Sequence, residues 1–287
     1  MTIFTRKTIR RLTAAALTTV TLMAGAACGS SSSSSGQSAD KQDITQQTIN
    51  PGTLTIATGD PAYAPYVQDN KPESGKGYEA AVAYAVAGKM GFDKAHVTWT
   101  RTTFDAAIAP GSKDYDLNIQ QFSITPERRQ AVDFTPSYYN STQSLVVRNN
   151  SPYASATTLA QIKDAKIGAM VGSTSYEMAH KLVKPDIDTF NDDVASSQAL
   201  DANQIDALVV DTPSAVTMVD SGQVKNAKIL GQIKGSQDPE GMGIVLPKGS
   251  KLTPAASKAV TALKKDGTLD KLQKQWLHVY TSLPTLG

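Results

Sequence analysis

Short apolar runs alternate with longer Ala-rich or amphipathic segments over most of the chain, from residue 52 to about residue 280. The short runs, bounded by turn residues, predict strands at 54–58, 97–100, 115–119, 145–148, 166–170, 207–210 and 242–246. The longer segments predict helices at 77–90, 104–109, 176–183 and 253–265. Strands that alternate with helices in this way are typical of an α/β fold with mostly parallel sheets.

Polar residues follow several of the predicted strands. Gly59-Asp60 follows the first strand, residues 123–128 follow a middle strand, residues 172–174 follow the first strand of the second half, and Asp211 follows a later strand. In α/β sheets, ligands bind beyond the carboxyl ends of strands. Four polar strand ends in two halves of the chain therefore predict one binding site that is shared between two lobes.

The segment 123–129 places a hydroxyl and two arginines at a predicted helix start. A planar guanidinium can bind a carboxylate through two parallel hydrogen bonds, and a helix N-terminus adds free N–H groups. The segment is therefore a candidate carboxylate site, with Ser123 and Arg128 as its donors. The alternative, from these residues alone, is an N-capped surface helix with a solvated Glu-Arg-Arg turn.

The first 27 residues have the pattern of a secretory signal peptide. Four basic residues precede an apolar stretch at 12–27 that is too short for a stable membrane span. Cys28, the only cysteine, follows at once and cannot form an internal disulfide. The stretch before it resembles a bacterial lipobox, whose cysteine becomes lipidated, although Gly25 stands where leucine is usual. The alternative is an ordinary secreted protein with a free thiol.

The stretch that follows Cys28 is rich in serine and glutamine and contains few apolar residues. Such a composition cannot bury enough apolar surface to fold, so residues 28–50 are expected to form a flexible tether. A tether after a lipidated cysteine would hold an exported protein at the outer face of the cell membrane.

The charge balance depends on whether the signal segment is counted. The whole chain carries a formal net charge of +2, but residues 1–27 contain four basic residues and no acidic ones, so the remainder has a net charge of −2. The basic character belongs largely to the leader, and it gives no support for nucleic-acid binding.

Several motifs together resemble those of the bacterial extracellular solute-binding proteins of family 3, the polar amino-acid receptors of ABC importers. The resemblance covers nearly all of residues 52–280 and rests on the segments at 59–66, 77–79, 123–139 and 263–276. It implies an α/β fold of the type II periplasmic-binding-protein kind, with two mixed sheets flanked by helices and two hinge strands.

The resemblance also implies where the lobes begin and end. We expect a first lobe at 51–146 plus 243–287 and a second lobe at 147–242. The hinges are expected near 147–148 and 241–244. Closure of the two lobes over a ligand would couple binding to a hinge motion.

The function implied by the resemblance is that of a monomeric binding protein without turnover. It would bind a free polar amino acid and deliver it to the permease and ATPase subunits of an importer. The first alternative is a periplasmic dehydratase of the same fold, which would act on carboxylated cyclohexadienyl substrates, reuse Arg128 and need a general acid. The second is a sensor module; such domains are usually fused to a transmembrane helix or a kinase, and the sequence shows neither pattern.

Five residues are expected to bind the two charged groups of the ligand, and the roles of Arg128 and Asp211 among them are implied by the resemblance. Arg128 and Ser123 are expected to bind the carboxylate of the ligand, and Asp211 its ammonium group. Thr174 and Ser173 would complete the carboxylate site from the second lobe through their N–H groups. The alternative for Asp211, Ser173 and Thr174 is helix capping.

Four further residues are expected to surround the rest of the ligand. Tyr63 and Phe104 match positions where the family stacks aromatic rings on the aliphatic part of the ligand, with ordinary core packing as the alternative. Asp60 is expected to bind the distal part of the side chain, as is Gln121 or its neighbour Gln120. Gln121 stands where the family often has glycine, so it is expected to reshape the pocket.

No motif predicts a metal ion or a cofactor. His96, His180 and His278 are far apart and lack metal-like spacing with a cysteine or carboxylate. The sequence also lacks a Walker loop, a dinucleotide-binding fingerprint and a Ser-His-Asp elbow. Asp60, Gln121 and Asp211 favour a ligand with a polar or cationic side chain.

Overall fold

The structure, a computed structural model, describes residues 44–277 and 283–287. Two mixed β-sheets organise these residues, one of five strands and one of six. The predicted signal peptide, Cys28 and the part of the predicted tether at 28–43 lie outside the described residues.

The first sheet has the strand order β2-β1-β3-β10-β4. Strand β1 runs parallel to β2 and β3, whereas β10 runs antiparallel to β3 and β4. The strands are β1 Leu54–Gly59, β2 Val97–Thr102, β3 Leu117–Asn118, β4 Val132–Phe134 and β10 Val245–Pro247. The helices around it are α1 Tyr78–Met90, α2 Phe104–Ile108, α3 Arg128–Ala131, α7 Thr253–Lys265 and α8 Thr268–Trp276. We call this part of the chain the first lobe.

The second sheet has the strand order β11-β9-β5-β8-β6-β7. Its strands are β5 Gln143–Arg148, β6 Ile167–Met170, β7 Asp188–Phe190, β8 Ala207–Asp211, β9 Ala227–Ile233 and β11 Thr285–Leu286. The helices around it are α4 Thr174–Leu182, α5 Asp193–Asp201 and α6 Thr212–Asp220. We call this part the second lobe. Short 3-10 helices are found at Gln68–Asn70, Pro72–Ser74, Lys94–His96 and Leu159–Ile162.

Strand β5 shows why the second sheet is covered on both faces. Its apolar residues are continuous, and successive side chains of a strand point to opposite faces. Leu145 and Val147 belong to one hydrophobic cluster, while Val146 belongs to another on the opposite face. A strand that is apolar on both faces is stable only when helices cover both faces, as they do here.

Helix α1 forms the centre of the first-lobe core. Val82, Val86 and Met90 lie in one hydrophobic cluster with residues of β1, α7 and α8. The helix ends where the sequence predicts, because Gly91 adopts a left-handed conformation with φ of 98° and bonds back to the last turn. The two mixed sheets with flanking helices confirm the predicted fold class.

The lobe boundaries differ from those expected. The expected boundary after residue 146 and the expected hinge at 147–148 both fall inside β5, whose partners β8 and β9 belong to the second sheet. The chain instead leaves the first sheet after Phe134 and enters the second at Gln143. The expected boundary divides a strand that pairs only with strands of the second sheet.

The C-terminal residues also lie elsewhere than expected. Thr285 and Leu286 pair with Gln232 and Ile233 of the second sheet, although residues 243–287 were assigned to the first lobe. Leu286 is buried in the cluster that contains Leu145 and Val147. Burial in this cluster removes the apolar side chain of Leu286 from water. The strand has only two residues, which is too short to be predicted from the sequence.

The two crossing segments, 135–142 and 234–244, lie side by side. The Tyr138 N–H donates to the Met242 carbonyl at 2.9 Å. Gly241 has a φ of 75°, and a Cβ atom there would lie 2.7 Å from the Tyr139 carbonyl oxygen. Glycine is therefore required where the two segments make contact.

Residues 44–50 are folded, although they were expected to belong to the tether. Thr48 is buried, and the Ile49 N–H donates to Asp116 Oδ1 at 2.8 Å. The other oxygen of Asp116 accepts the Thr55 N–H of β1 at 2.8 Å. One buried carboxylate therefore fastens this segment to the first sheet.

We expect Asp116→Ala to lower the free energy of unfolding by about 2 kcal/mol, because two backbone N–H groups lose their acceptor. Chemical denaturation measures this loss. Asp114→Ala, which changes an exposed neighbour, is the matched control and should change stability by less than about 0.5 kcal/mol. Equal stability of the two variants would contradict this role of Asp116.

Candidate ligand-binding site

The carboxyl ends of strands from both sheets meet around a cleft. A cavity of about 150 Å³ is lined by Asp60, Tyr63 and Phe104 of the first lobe and by Met170 and Asp193 of the second, among others. A smaller cavity of about 30 Å³ shares Phe104, Met170 and Asp193 with it and continues to Thr174 and Asp211. Seven of the predicted site residues lie in or beside these two cavities, as the strand-end argument predicts: Asp60, Tyr63, Phe104, Gln121, Ser173, Thr174 and Asp211.

Arg128 lies against Phe104 and is 7% exposed. Its Nη1 donates to the Ser123 carbonyl at 2.8 Å, and its Nη2 donates to the Gly172 carbonyl of the second lobe at 2.9 Å. Its Cζ atom lies 5.2 Å from the centre of the Phe104 ring. A guanidinium has five N–H donors, so these two bonds orient the group and leave donors for a carboxylate. The exposed-arginine alternative is excluded for Arg128, whereas Arg129 is exposed and pairs with Glu240.

Ser123 is buried and already hydrogen bonded. Its Oγ donates to Asp238 Oδ2 at 2.8 Å and lies 3.0 Å from Thr174 Oγ1. A hydroxyl has one proton, so with Ser123 donating to Asp238, Thr174 donates to Ser123. Neither hydroxyl proton points to the cavity, and the backbone N–H of Thr174, in the first turn of α4, remains as a donor.

Asp238 is a residue that the sequence did not reveal. It lies on the second crossing segment, is 1% exposed, and its Oδ1 has no hydrogen-bond partner among the described residues. Burial raises the pKa of Asp238, and the hydrogen bond from Ser123 opposes that shift. The surrounding polar stretch shows no periodicity, so only the folded structure brings this carboxylate to Ser123.

Ser173 caps helix α4. Its Oγ accepts the Tyr176 N–H at 3.1 Å and donates to the Met170 carbonyl at 2.6 Å. Its own N–H also bonds to that carbonyl, at 3.4 Å. The capping alternative is therefore correct for Ser173, and Thr174 is the residue of this pair whose N–H is available.

Asp211 does not cap the helix that follows it, since its side chain makes no bond to the start of α6. Its Oδ1 accepts from Gln143 Nε2 at 2.7 Å, and Gln143 in turn accepts from Ser175 Oγ at 2.6 Å. Burial raises the pKa of Asp211 well above the usual carboxyl range, and the nearby Asp238 adds to that shift. A cation at Asp211 would remove this penalty.

Three carboxylates line the larger cavity. Asp60 approaches from the first lobe, and Asp192 and Asp193 approach from the second. Asp192 caps α5 by accepting the Ala195 N–H at 2.7 Å. Burial, followed by the charge of Asp192, raises the pKa of Asp193 to about 6. The described residues that line this cavity include no Lys, Arg or His.

The side chain of Gln121 turns towards a buried glutamate. Gln121 has a φ of 51°, its N–H donates to Glu79 Oε1 at 2.7 Å, and its Nε2 donates to Glu79 Oε2. Tyr138 donates its hydroxyl to the same glutamate. Burial raises the pKa of Glu79 to about 7, against the lowering effect of these hydrogen bonds. Glycine suits this position because it adopts a positive φ without the steric strain that a Cβ atom causes.

No group of three or more His, Cys, Asp or Glu side chains in residues 44–277 and 283–287 has an arrangement that could hold a metal ion. Over the same ranges, no helix is both long and apolar enough to span a bilayer.

Comparison with known families identifies the class of protein that this fold and cleft define. Residues 54–279 match the bacterial extracellular solute-binding proteins, family 3. The match covers most of the chain, and the chain belongs to this family.

Individual relatives agree with the family. The L-cystine-binding protein TcyJ of Escherichia coli strain K12 is 29% identical over 229 residues, which cover 78% of this chain and 82% of the relative. The lysine/arginine/ornithine-binding periplasmic protein of the same strain is 28% identical over 243 residues, covering 79% and 88%. A solved structure of an ancestral arginine-binding protein bound to arginine is 32% identical, with a TM-score of 0.65, and covers 78% of this chain and 98% of that one.

The pKa of Glu79 predicts a pH dependence of stability. Because this pKa rises from 4.5 to about 7 on folding, the stabilisation is complete below about pH 4.5 and is lost as the pH rises to about 7. Relative to Glu79→Gln, the free energy of unfolding of the wild type should fall by about 3 kcal/mol over that range. Chemical denaturation at several pH values measures the difference, and a constant difference would contradict the shift.

Proposed function

We propose that the chain is the extracytoplasmic substrate-binding component of an ABC importer and that it binds one free amino acid with a cationic side chain. The observation that carries the proposal is the arrangement of charge around one cleft. The half-buried carboxylate of Asp211 lines the smaller cavity, and further carboxylates line the larger one. The buried guanidinium of Arg128 lies against Phe104, which lines both cavities. This arrangement complements an α-amino acid that carries an additional positive charge.

The carboxylate of the ligand would bind at Arg128. The guanidinium is held in place by carbonyl groups from both lobes and retains unused donors. The N–H of Thr174 lies at the start of α4, where the helix dipole favours an anion. A ligand there would contact both lobes, which is the requirement for a binding event that stabilises the closed state.

The ammonium group of the ligand would bind at Asp211. Gln143 leaves one oxygen of this carboxylate without a protein donor, and no described Lys or Arg forms an ion pair with it. The ligand would supply the cation that a buried carboxylate needs.

The side chain of the ligand would extend into the larger cavity. Asp60 and Asp193 lie there, and the Tyr63 hydroxyl has no hydrogen-bond partner among the described residues. Phe104 lines the cavity as well, so its ring is available to the aliphatic part of the ligand. Relatives named for arginine and for lysine, arginine and ornithine agree with this choice, which rests on the carboxylates of the cavity.

The proposal includes the segment before the described residues. Signal peptidase would remove residues 1–27, and lipid on Cys28 would hold a monomeric protein on the outer face of the membrane, next to the permease and ATPase subunits. The motif at Cys28 and the serine-rich stretch after it support this arrangement.

A thermal-shift screen against the twenty amino acids, followed by calorimetry, tests the choice of ligand, because a ligand that binds only the folded state raises its stability. We expect L-arginine or L-lysine to give the largest shift. Asp193→Asn should weaken cationic ligands about tenfold and L-glutamine less than about threefold. Asp220→Asn, an exposed acid of the same lobe, is the control. A preference for neutral amino acids would contradict the proposal.

We expect Arg128→Ala to lower the affinity for the amino acid at least a hundredfold, because the ligand carboxylate would be buried without its charged donor. Arg129→Ala removes the neighbouring exposed arginine and should leave the affinity unchanged. Isothermal calorimetry compares the two variants with the wild type. Unchanged affinity in Arg128→Ala would overturn the carboxylate assignment.

For the anchor, we expect Cys28→Ser to move the protein from the membrane fraction to the medium when it is expressed in a bacterium with lipoprotein processing. Fractionation and immunoblotting measure the distribution. Retention of the variant in the membrane fraction would contradict lipidation at Cys28.

A further inference from the structure

We propose that Glu79 is a positioning residue for ligand recognition, which holds Gln121 in a left-handed conformation and keeps its side chain out of the cleft. This inference rests on the proposed function, since it concerns the same cleft. Glu79 itself lines neither of the two cavities.

The contacts between the two residues fix both the backbone and the side chain of Gln121. Both oxygens of Glu79 are used, one for the N–H and one for the side-chain amide of Gln121. Glu79 is fully buried in the first turn of α1, so water does not compete for these bonds. A carboxyl group has two oxygens that can each accept a hydrogen bond, which suits two donors from one residue.

The backbone conformation of Gln121 is stable only when neighbouring groups hold it. Its φ of 51° lies in the left-handed region, which a residue with a Cβ atom adopts only when its surroundings impose it. Gln121 also lines both cavities. A released Gln121 could relax its backbone and extend its amide into the space between Phe104 and Asp211, where the ligand would bind.

Glu79 also accepts a hydrogen bond from the first crossing segment, residues 135–142. Tyr138 donates its hydroxyl to Glu79, and its N–H bonds to the Met242 carbonyl of the second crossing segment. The Tyr78 hydroxyl donates to the Tyr138 carbonyl at 2.9 Å. Glu79 therefore links Gln121, which lines the cleft, to Tyr138 of the first crossing segment.

A double-mutant cycle tests the inference, with L-arginine as the ligand and calorimetry as the measurement. Glu79→Ala should lower the affinity at least tenfold. Gln121→Gly supplies the second background of the cycle, because glycine adopts a positive φ without support and has no side chain to block the cleft. In the Gln121→Gly background, Glu79→Ala should cost less than threefold. An equal loss in both backgrounds would show that Glu79 does not act through Gln121 and would overturn the inference.

Two further variants complete the design. Glu79→Gln should bind within threefold of the wild type, because its amide can still pair with a rotated Gln121 amide; a tenfold loss would contradict the positioning role. If Glu79→Ala does not fold, Gln121→Ala and Gln121→Gly decide the matter. The alanine variant loses the anchored amide and must still adopt a positive φ, so it should bind at least tenfold more weakly than the glycine variant. Equal binding would overturn the inference.

The outcomes separate this inference from the proposed function. A wild type that binds no amino acid overturns both. A wild type that binds L-arginine, together with an additive cycle, overturns only the role of Glu79.

Discussion

A buried charge is stable only when a partner of opposite sign or several hydrogen-bond donors reach it, and the cleft of this protein depends on that constraint. Arg128 brings one positive charge to the contact between the two lobes and is held by carbonyl groups rather than by an acid. Around it, Glu79, Asp211 and Asp238 are three carboxyl groups whose pKa values are raised by burial. Of the three, only Asp211 lines one of the two cavities of the cleft, so a cation from the proposed ligand would offset its charge.

The three carboxyl groups differ in the hydrogen-bond donors that reach them, and this difference indicates a different role for each. Glu79 accepts from Gln121 and Tyr138 and thereby supports the architecture. Asp238 accepts from Ser123 at the crossing segment. Asp211 has a single side-chain donor, Gln143, and lies at the cavity, so it is the carboxylate best suited to a ligand.

The sequence predicted the elements whose periodicity is strong. Helix α1 and helix α7 lie within one residue of their predicted bounds, because their caps and Ala-rich faces are clear. Helix α5 was missed, since it is short and polar, whereas α6 was foreseen only as the helix that Asp211 could cap. The predicted hinge at 147–148 failed because an apolar run reads as a strand without revealing which sheet contains it.

Site residues were predictable where a motif marks them. Asp211 and Thr174 follow strands and line the smaller cavity, and Arg128 bonds to the Gly172 carbonyl beside it. Asp238 and Glu79 were not predicted as site residues, because their contacts join positions 115 and 42 residues apart in the chain. Such contacts depend on the packing of the first lobe and the crossing segments, which no local pattern encodes.

The central claim is that one cleft binds the carboxylate, the ammonium group and the cationic side chain of an amino acid at separate charged residues. A crystal structure of the protein with L-arginine tests it most directly. The account predicts the ligand carboxylate at Arg128 and the Thr174 N–H, the ammonium group at Asp211, and the ligand guanidinium near Asp60 and Asp193. An arginine bound outside this cleft, or bound with its carboxylate away from Arg128, would contradict it.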